Sequence, residues 1–116
     1  MSREMTAAED QLMATLLWSH DLDDYDITDI DQTQRNRISG LFMQFVTLNQ
    51  ETLDEETQDL TQIAHDFILT VNREGAGFWD GDYNNGDKLT KECEGIGPFE
   101  PYVTDDNKID IVLNSA

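Results

Sequence analysis

Through the first two-thirds of the chain, apolar residues recur at three- and four-residue steps, the period of an amphipathic helix. Met5, Ala8, Leu12, Met13, Leu16 and Leu17 form one stripe and predict a helix over roughly 5–19. Ile38, Leu41, Phe42, Phe45 and Val46 form a second, predicting a helix that ends near Leu48. Leu60, Ile63, Ala64, Phe67, Ile68 and Val71 form a third. Between the stripes, Asp31 with Gln34 and Thr52 with Glu55 have capping-box spacing, marking the starts of the second and third helices. Asp54, Glu55, Glu56 and Asp59 then fall in the opening turns of the third, where the helix dipole favours anions. Gly75-Ala76-Gly77 is the expected stop.

After residue 72 the pattern changes. GAGFWDGDYNNGD (75–87) holds four of the seven glycines and reads as a loop with aromatic anchors. Leu89, Cys93 and Ile96 are spaced for a short fourth helix, stopped by Gly95 and Gly97. Pro98 and Pro101 enforce extended chain. Tyr102-Val103 and Ile109 to Val112 flank Asp105-Asp106-Asn107-Lys108, a hairpin in which Asn107 tolerates left-handed geometry. The expected fold is α+β in one domain spanning 1–116. It has a helical part (1–72) packed around Leu16, Leu41, Phe42, Phe45, Ile63, Phe67 and Ile68. A glycine-aromatic turn, short helix and C-terminal hairpin (73–116) complete it.

Charge then changes the picture. Twenty-five carboxylates against seven Lys and Arg give a formal net charge of −18 on 116 residues. Self-repulsion on that scale opposes a compact state, and solubility alone is served by a magnitude of about 2–8. Eleven of the acids lie in two interhelical runs: Asp21, Asp23, Asp24, Asp26, Asp29 and Asp31, then Glu51, Asp54, Glu55, Glu56 and Asp59. With a helix running between them, the runs fall at opposite ends of the bundle. No basic face is set aside, so direct contact with nucleic acid or an anionic bilayer is disfavoured. The N-terminus MSREMTAAEDQ has neither the basic nor the apolar region of a secretory signal, and no apolar run approaches the length of a membrane span. A cytoplasmic protein is expected.

Candidate chemistry is thin. Asp80-x-Asp82-x-Asn84 alternates like the start of an EF-hand loop, but position 6 is Asn85 and position 12 is Lys91, so a polar turn is the better reading. Started at Asp24, the first acidic run puts Asp29 and Arg35 at those positions and fails equally. The single cysteine, Cys93, excludes an internal disulfide and a cysteine-cluster zinc site. Glu92 and Glu94 beside it oppose thiolate formation, and its spacing from Leu89 and Ile96 makes it a core residue. His20 and His65 each neighbour an aspartate that does not orient the ring, and Ser19, Ser39 and Ser115 lie in no nucleophile turn. No enzyme, metal or cofactor is expected. Phe78-Trp79 has two readings: aromatic anchors packed under the glycines, or an exposed contact rimmed by Asp80 and Asp82.

GAGFWDGDY, then GDKLTKECEGIG, then PYVTDDNKIDI, resembles a module of small uncharacterised acidic bacteriophage-encoded proteins. The likeness covers roughly 45 of the 116 residues, from Asp66 to Ile111, with Thr104 where that module has glycine. The resemblance implies a phage origin and supplies no catalytic residue. For the charge, three explanations stand: DNA mimicry, adaptation to high salt, or a plain solvated surface on a binding protein. The reading taken is a phage-encoded DNA mimic that blocks a host DNA-binding or DNA-processing protein through a basic groove, in the host cytoplasm. Its contact residues would be the eleven acids of the two runs together with Phe78, Trp79, Asp80 and Asp82. The alternative is a non-enzymatic phage accessory protein that binds its partner through the turn at 78–82. The helical stripes leave a homodimer open.

Overall fold

A computed structural model describes residues 3–74, 77–79 and 83–115, with side chains placed from Thr6 to Leu113. The architecture is α+β. Helix α1 (Arg3–Ser19) turns Ala8, Leu12, Met13, Leu16 and Leu17 into the core; the side chain of Met5 lies outside the described set. Its C-terminal end lies beside that of α4 (Leu60–Val71). Thr15 Oγ1 and His65 Nδ1 share a 2.8 Å hydrogen bond, and His20 Nε2 sits 3.5 Å from Glu74.

Both helices stop by the same device. Asp21 and Arg73 take left-handed backbone (φ 58° and 56°). The amides that follow reach back to close the last turn: Leu22 N–H to Leu17 O and Glu74 N–H to Leu69 O, each at 2.8 Å. The expected stop at Gly75-Ala76-Gly77 is therefore corrected. Arg73 holds the terminating position, at a steric cost of about 1 kcal/mol, and residues 75 and 76 lie outside the described set. Gly77 has a different task. With φ of 51°, a Cβ there would strike Thr70 Oγ1, which accepts the Phe78 N–H at 3.1 Å.

Helix α2 (Gln32–Leu48) buries Ile38, Phe42 and Phe45, while Leu41 and Val46 are half-buried. Its expected capping box does not form: Asp31 is in the cap position but makes no side-chain bond to the helix. The box forms five residues earlier, where Asp26 and Asp29 brace a 3₁₀ turn (Ile27–Asp29). Gln34 is drawn away by the hairpin, accepting the Ile111 N–H at 2.5 Å and donating to Asp110.

The second expected box is corrected too. Thr52 is buried in a single helical turn, α3 (Gln50–Leu53), where its Oγ1 accepts from Lys88 Nζ at 2.9 Å. α4 starts only at Leu60, capped by Asp59, whose carboxylate accepts the Gln62 N–H at 2.8 Å. The intervening residues stay out of the helix because Glu56 is engaged by Asn84 and Asn85 across the fold.

Helix α5 (Gly86–Glu92) buries Leu89, with Cys93 just past its end. Ile96 does not belong to it as expected; it opens strand β1 (Ile96–Val103), because Gly95 and Gly97 (φ 87° and 75°) turn the chain first. β1 pairs antiparallel with β2 (Ile109–Ser115), from Phe99↔Leu113 to Val103↔Ile109, around a turn with Asn107 at φ 62°. A two-stranded sheet is marginal alone, and here the rest of the molecule secures both edges. The Asn72 amide accepts the Phe99 N–H (2.7 Å) and donates to Phe99 O (3.1 Å), imitating a neighbouring strand. On β2, Gln34 accepts the Ile111 N–H and donates to the Asp110 carboxylate, Ile30 bridges to Ile109, and Pro101 presents no N–H to the outer edge of β1.

An aromatic chain ties these elements together. Phe67 meets Phe42 and Phe45 with ring centroids 5.2 and 5.1 Å apart, Phe45 stacks on Phe78 at 5.6 Å, and Phe78 abuts Tyr83 edge-on at 5.1 Å. The radius of gyration is 13.6 Å, against about 13.4 Å for a compact chain of this length. The charge does not swell the fold. Among the described residues, no helix is long and apolar enough to cross a membrane.

Candidate functional site

The first acidic run is a loop built by its own aspartates. Asp26 accepts from the Ile27 N–H (2.8 Å) and the Thr28 hydroxyl (2.9 Å), while its own N–H donates to Asp29 (3.0 Å). Lys108 Nζ adds a contact to Asp29 at 3.4 Å, and Tyr25 donates to Asn107 at 2.8 Å, tacking the loop to the hairpin. The Asp26 N–H, then Lys108, holds the Asp29 carboxyl below the usual carboxylate range. Because that shift is downward, the bracing it reports is fully present above about pH 4 and fades as pH falls through the lowered value. Asp21, Asp23, Asp24 and Asp31 are exposed and carry none of this bracing.

In the second run, Glu51, Asp54 and Glu55 are exposed. Glu56 is not a free surface charge. Its carboxylate accepts the backbone N–H groups of Asn84 (2.7 Å) and Asn85 (2.8 Å) and the Asn85 side-chain amide (2.8 Å). Asp59 is spent as the α4 cap. The two runs flank the 17 residues of α2, about 25 Å of helix at 1.5 Å per residue. They lie at opposite ends of one rigid element, as expected. Among the described residues, Lys108 with Asp29 is the sole Lys or Arg pair with a carboxylate. Glu74 has His20 beside it, and no other described carboxylate has a side-chain Lys, Arg or His nitrogen within 4 Å.

The aromatic pair divides. Phe78, a candidate contact residue, is fully buried between Phe45 and Tyr83 and is corrected to a core residue. Trp79 is 62% exposed, so the packed reading fails for it and the contact reading keeps its geometric requirement. Asp80 and Asp82 lie outside the described residues. Among those described, no three His, Cys, Asp or Glu are placed to share a metal ion.

Cys93 is buried, and burial, then the Glu92 charge, pushes its thiol up to about 12. At pH 8 the thiolate fraction is then about one part in ten thousand. An aromatic disulfide reagent at pH 8 is expected to label under a tenth of the folded protein in an hour and all of it after denaturation.

Sequence reasoning passed over Asp66. It is the lone acid of α4, 7% exposed, accepting the Tyr83 O–H at 2.5 Å and the Gln62 amide at 3.0 Å. A single carboxylate inside the most apolar helix was the available signal, hidden beside the regular stripe. Tyr83→Phe strips one donor from a buried carboxylate and is expected to cost about 1–3 kcal/mol in chemical denaturation.

Compared with known proteins, the chain matches no family model, and no curated protein or solved structure matches it.

Proposed function

We propose that this is a phage-encoded acidic protein of the host cytoplasm that blocks a host DNA-binding or DNA-processing protein by offering carboxylates where its groove expects phosphates. What supports the reading is the set of exposed carboxylates on a fixed scaffold, with one Lys–carboxylate pair among the described residues. A charge of −18 left unneutralised in a compact fold is a standing attraction for a basic groove, acting through steered and salt-sensitive association. The chemistry is non-enzymatic and needs no cofactor. The test is capture from host lysate on the immobilised protein, with and without nuclease, at 50 and 200 mM salt. The expected partners bind DNA, are eluted by added duplex, and are lost at the higher salt. Recovery only of partners without a basic groove overturns the reading.

The exposed Trp79 favours a second reading, an accessory module that grips its partner through the turn at 78–82. Trp79→Ala at unchanged stability separates them: capture survives under mimicry and is lost if the turn is the contact.

A further inference from the structure

Asn85 is the one asparagine of seven that is followed by glycine. An Asn-Gly peptide is chemically labile, because a glycine nitrogen with no side chain beside it reaches the asparagine Cγ without hindrance. The fold nevertheless needs both residues where they stand. Gly86 opens α5 against the turn that carries Phe78 and Trp79; a Cβ there would strike Phe78 O and lie 3.5 Å from Trp79 Cα. Asn85 is half-buried, and its side-chain amide donates to Glu56 at 2.8 Å and to Glu55 at 3.4 Å. Its own N–H and that of Asn84 also reach the Glu56 carboxylate (2.8 and 2.7 Å), and its carbonyl accepts the Leu89 N–H at 2.9 Å.

We propose that Asn85 is a site of covalent self-modification, held shut by Glu55 and Glu56 and opened for good once it reacts. The reaction is deamidation. The deprotonated Gly86 nitrogen attacks Asn85 Cγ, the new C–N bond closes a five-membered succinimide, and Nδ2 leaves as ammonia. Water then opens the ring at either carbonyl to give aspartate or isoaspartate, so one water is taken up for each ammonia lost. Attack requires the side-chain amide to swing off Glu56 and present Cγ to the Gly86 nitrogen. The clasp therefore slows the step in the folded chain.

The product does not rebuild the clasp. Where the amide donated, an aspartate sets a third carboxylate against two whose oxygens stand 2.8 and 3.4 Å from the departed nitrogen. No described Lys, Arg or His nitrogen lies within 4 Å of Glu55 or Glu56 to offset it. Carboxylates at such spacing repel strongly. A new acid at the start of α5 gains from the helix dipole, but contact-distance repulsion together with a lost donor outweighs that gain. Isoaspartate also lengthens the backbone by one carbon at the point where Gly86 is seated on Phe78 O. Either product frees the loop at 84–85 and loosens the seat of the exposed Trp79.

The test follows the mass of the peptide containing Asn85 and Gly86 during incubation at pH 8 and 37 °C, where each event adds about 1 Da. The folded protein is expected to convert about tenfold or more slower than the chain unfolded in guanidinium chloride, since the clasp has to open first. Glu56→Ala, checked to be folded by circular dichroism, is expected to convert about threefold or more faster than the parent. A second arm needs no slow reaction. Asn85→Asp is expected to lower the melting temperature by about 5 °C or more. In a protein already carrying Glu55→Gln and Glu56→Gln, which removes the facing charges, the same substitution is expected to cost less than half as much. Equal rates in the folded parent and the unfolded chain, no rate change in Glu56→Ala, or an Asn85→Asp protein that melts with its parent each overturn the proposal.

Discussion

Replacing Asp21, Asp23, Asp24, Glu51, Asp54 and Glu55 together by Asn or Gln is expected to reduce capture of the DNA-binding partner by about 100-fold or more at 100 mM salt. The number follows from charge: electrostatic contacts with a phosphate-like partner lose affinity steeply as they are removed or screened, and six to ten of them carry about 10³–10⁵ between 50 and 200 mM salt. The choice of residues follows from structure. These six are exposed, whereas Asp26 and Asp29 brace the 3₁₀ turn, Glu56 anchors the loop at 84–85, and Asp59 caps α4. Neutralising those four as well would confound loss of binding with loss of fold. The six-site variant is expected to melt no lower than the parent, because removing like charges relieves repulsion. Unchanged capture by this variant would mean the acids are a solvated surface only.

The largest stability effect is expected at Phe67. Its ring is fully buried and touches both Phe42 and Phe45, so it joins α4 to α2 at the centre of the core. Phe67→Ala leaves a cavity that the rigid helices on either side cannot close. It is expected to cost about 3–5 kcal/mol. For a chain of this size that lowers the melting temperature by roughly 10–20 °C, a large part of the total stability of an ordinary domain. Thermal and urea unfolding report it directly. Trp79→Ala, one residue beyond the buried Phe78 but 62% exposed, is the matched control; its stability change is expected within about 0.5 kcal/mol.

How far the sequence carried is instructive at particular residues. The stripes of α1, α2 and α4 and the hairpin around Asn107 were legible because burial imposes a period and a left-handed turn demands a tolerant residue. Helix boundaries were not. Asp31 with Gln34 and Thr52 with Glu55 had the right spacing, but Gln34 was claimed by Ile111, 77 residues away, Thr52 by Lys88, 36 away, and Glu55 by Asn85, 30 away. A local rule does not see such competition. Phe78 and Trp79 were read as one pair, although consecutive residues of a 3₁₀ turn point to different sides, one into the core and one to solvent. At the candidate site, the two acidic runs and their placement at opposite ends of a helix were legible. Which acids are free and which are structural was not, since that depends on where Asn84, Asn85 and the Ile27 amide come to lie.

The most direct measurement is the affinity of the captured partner for this protein at several salt concentrations, with and without saturating duplex DNA. Mimicry predicts strict competition with the duplex and an affinity that falls at least 100-fold between 50 and 200 mM salt. A stable ternary complex with DNA, or an affinity indifferent to salt, would contradict it.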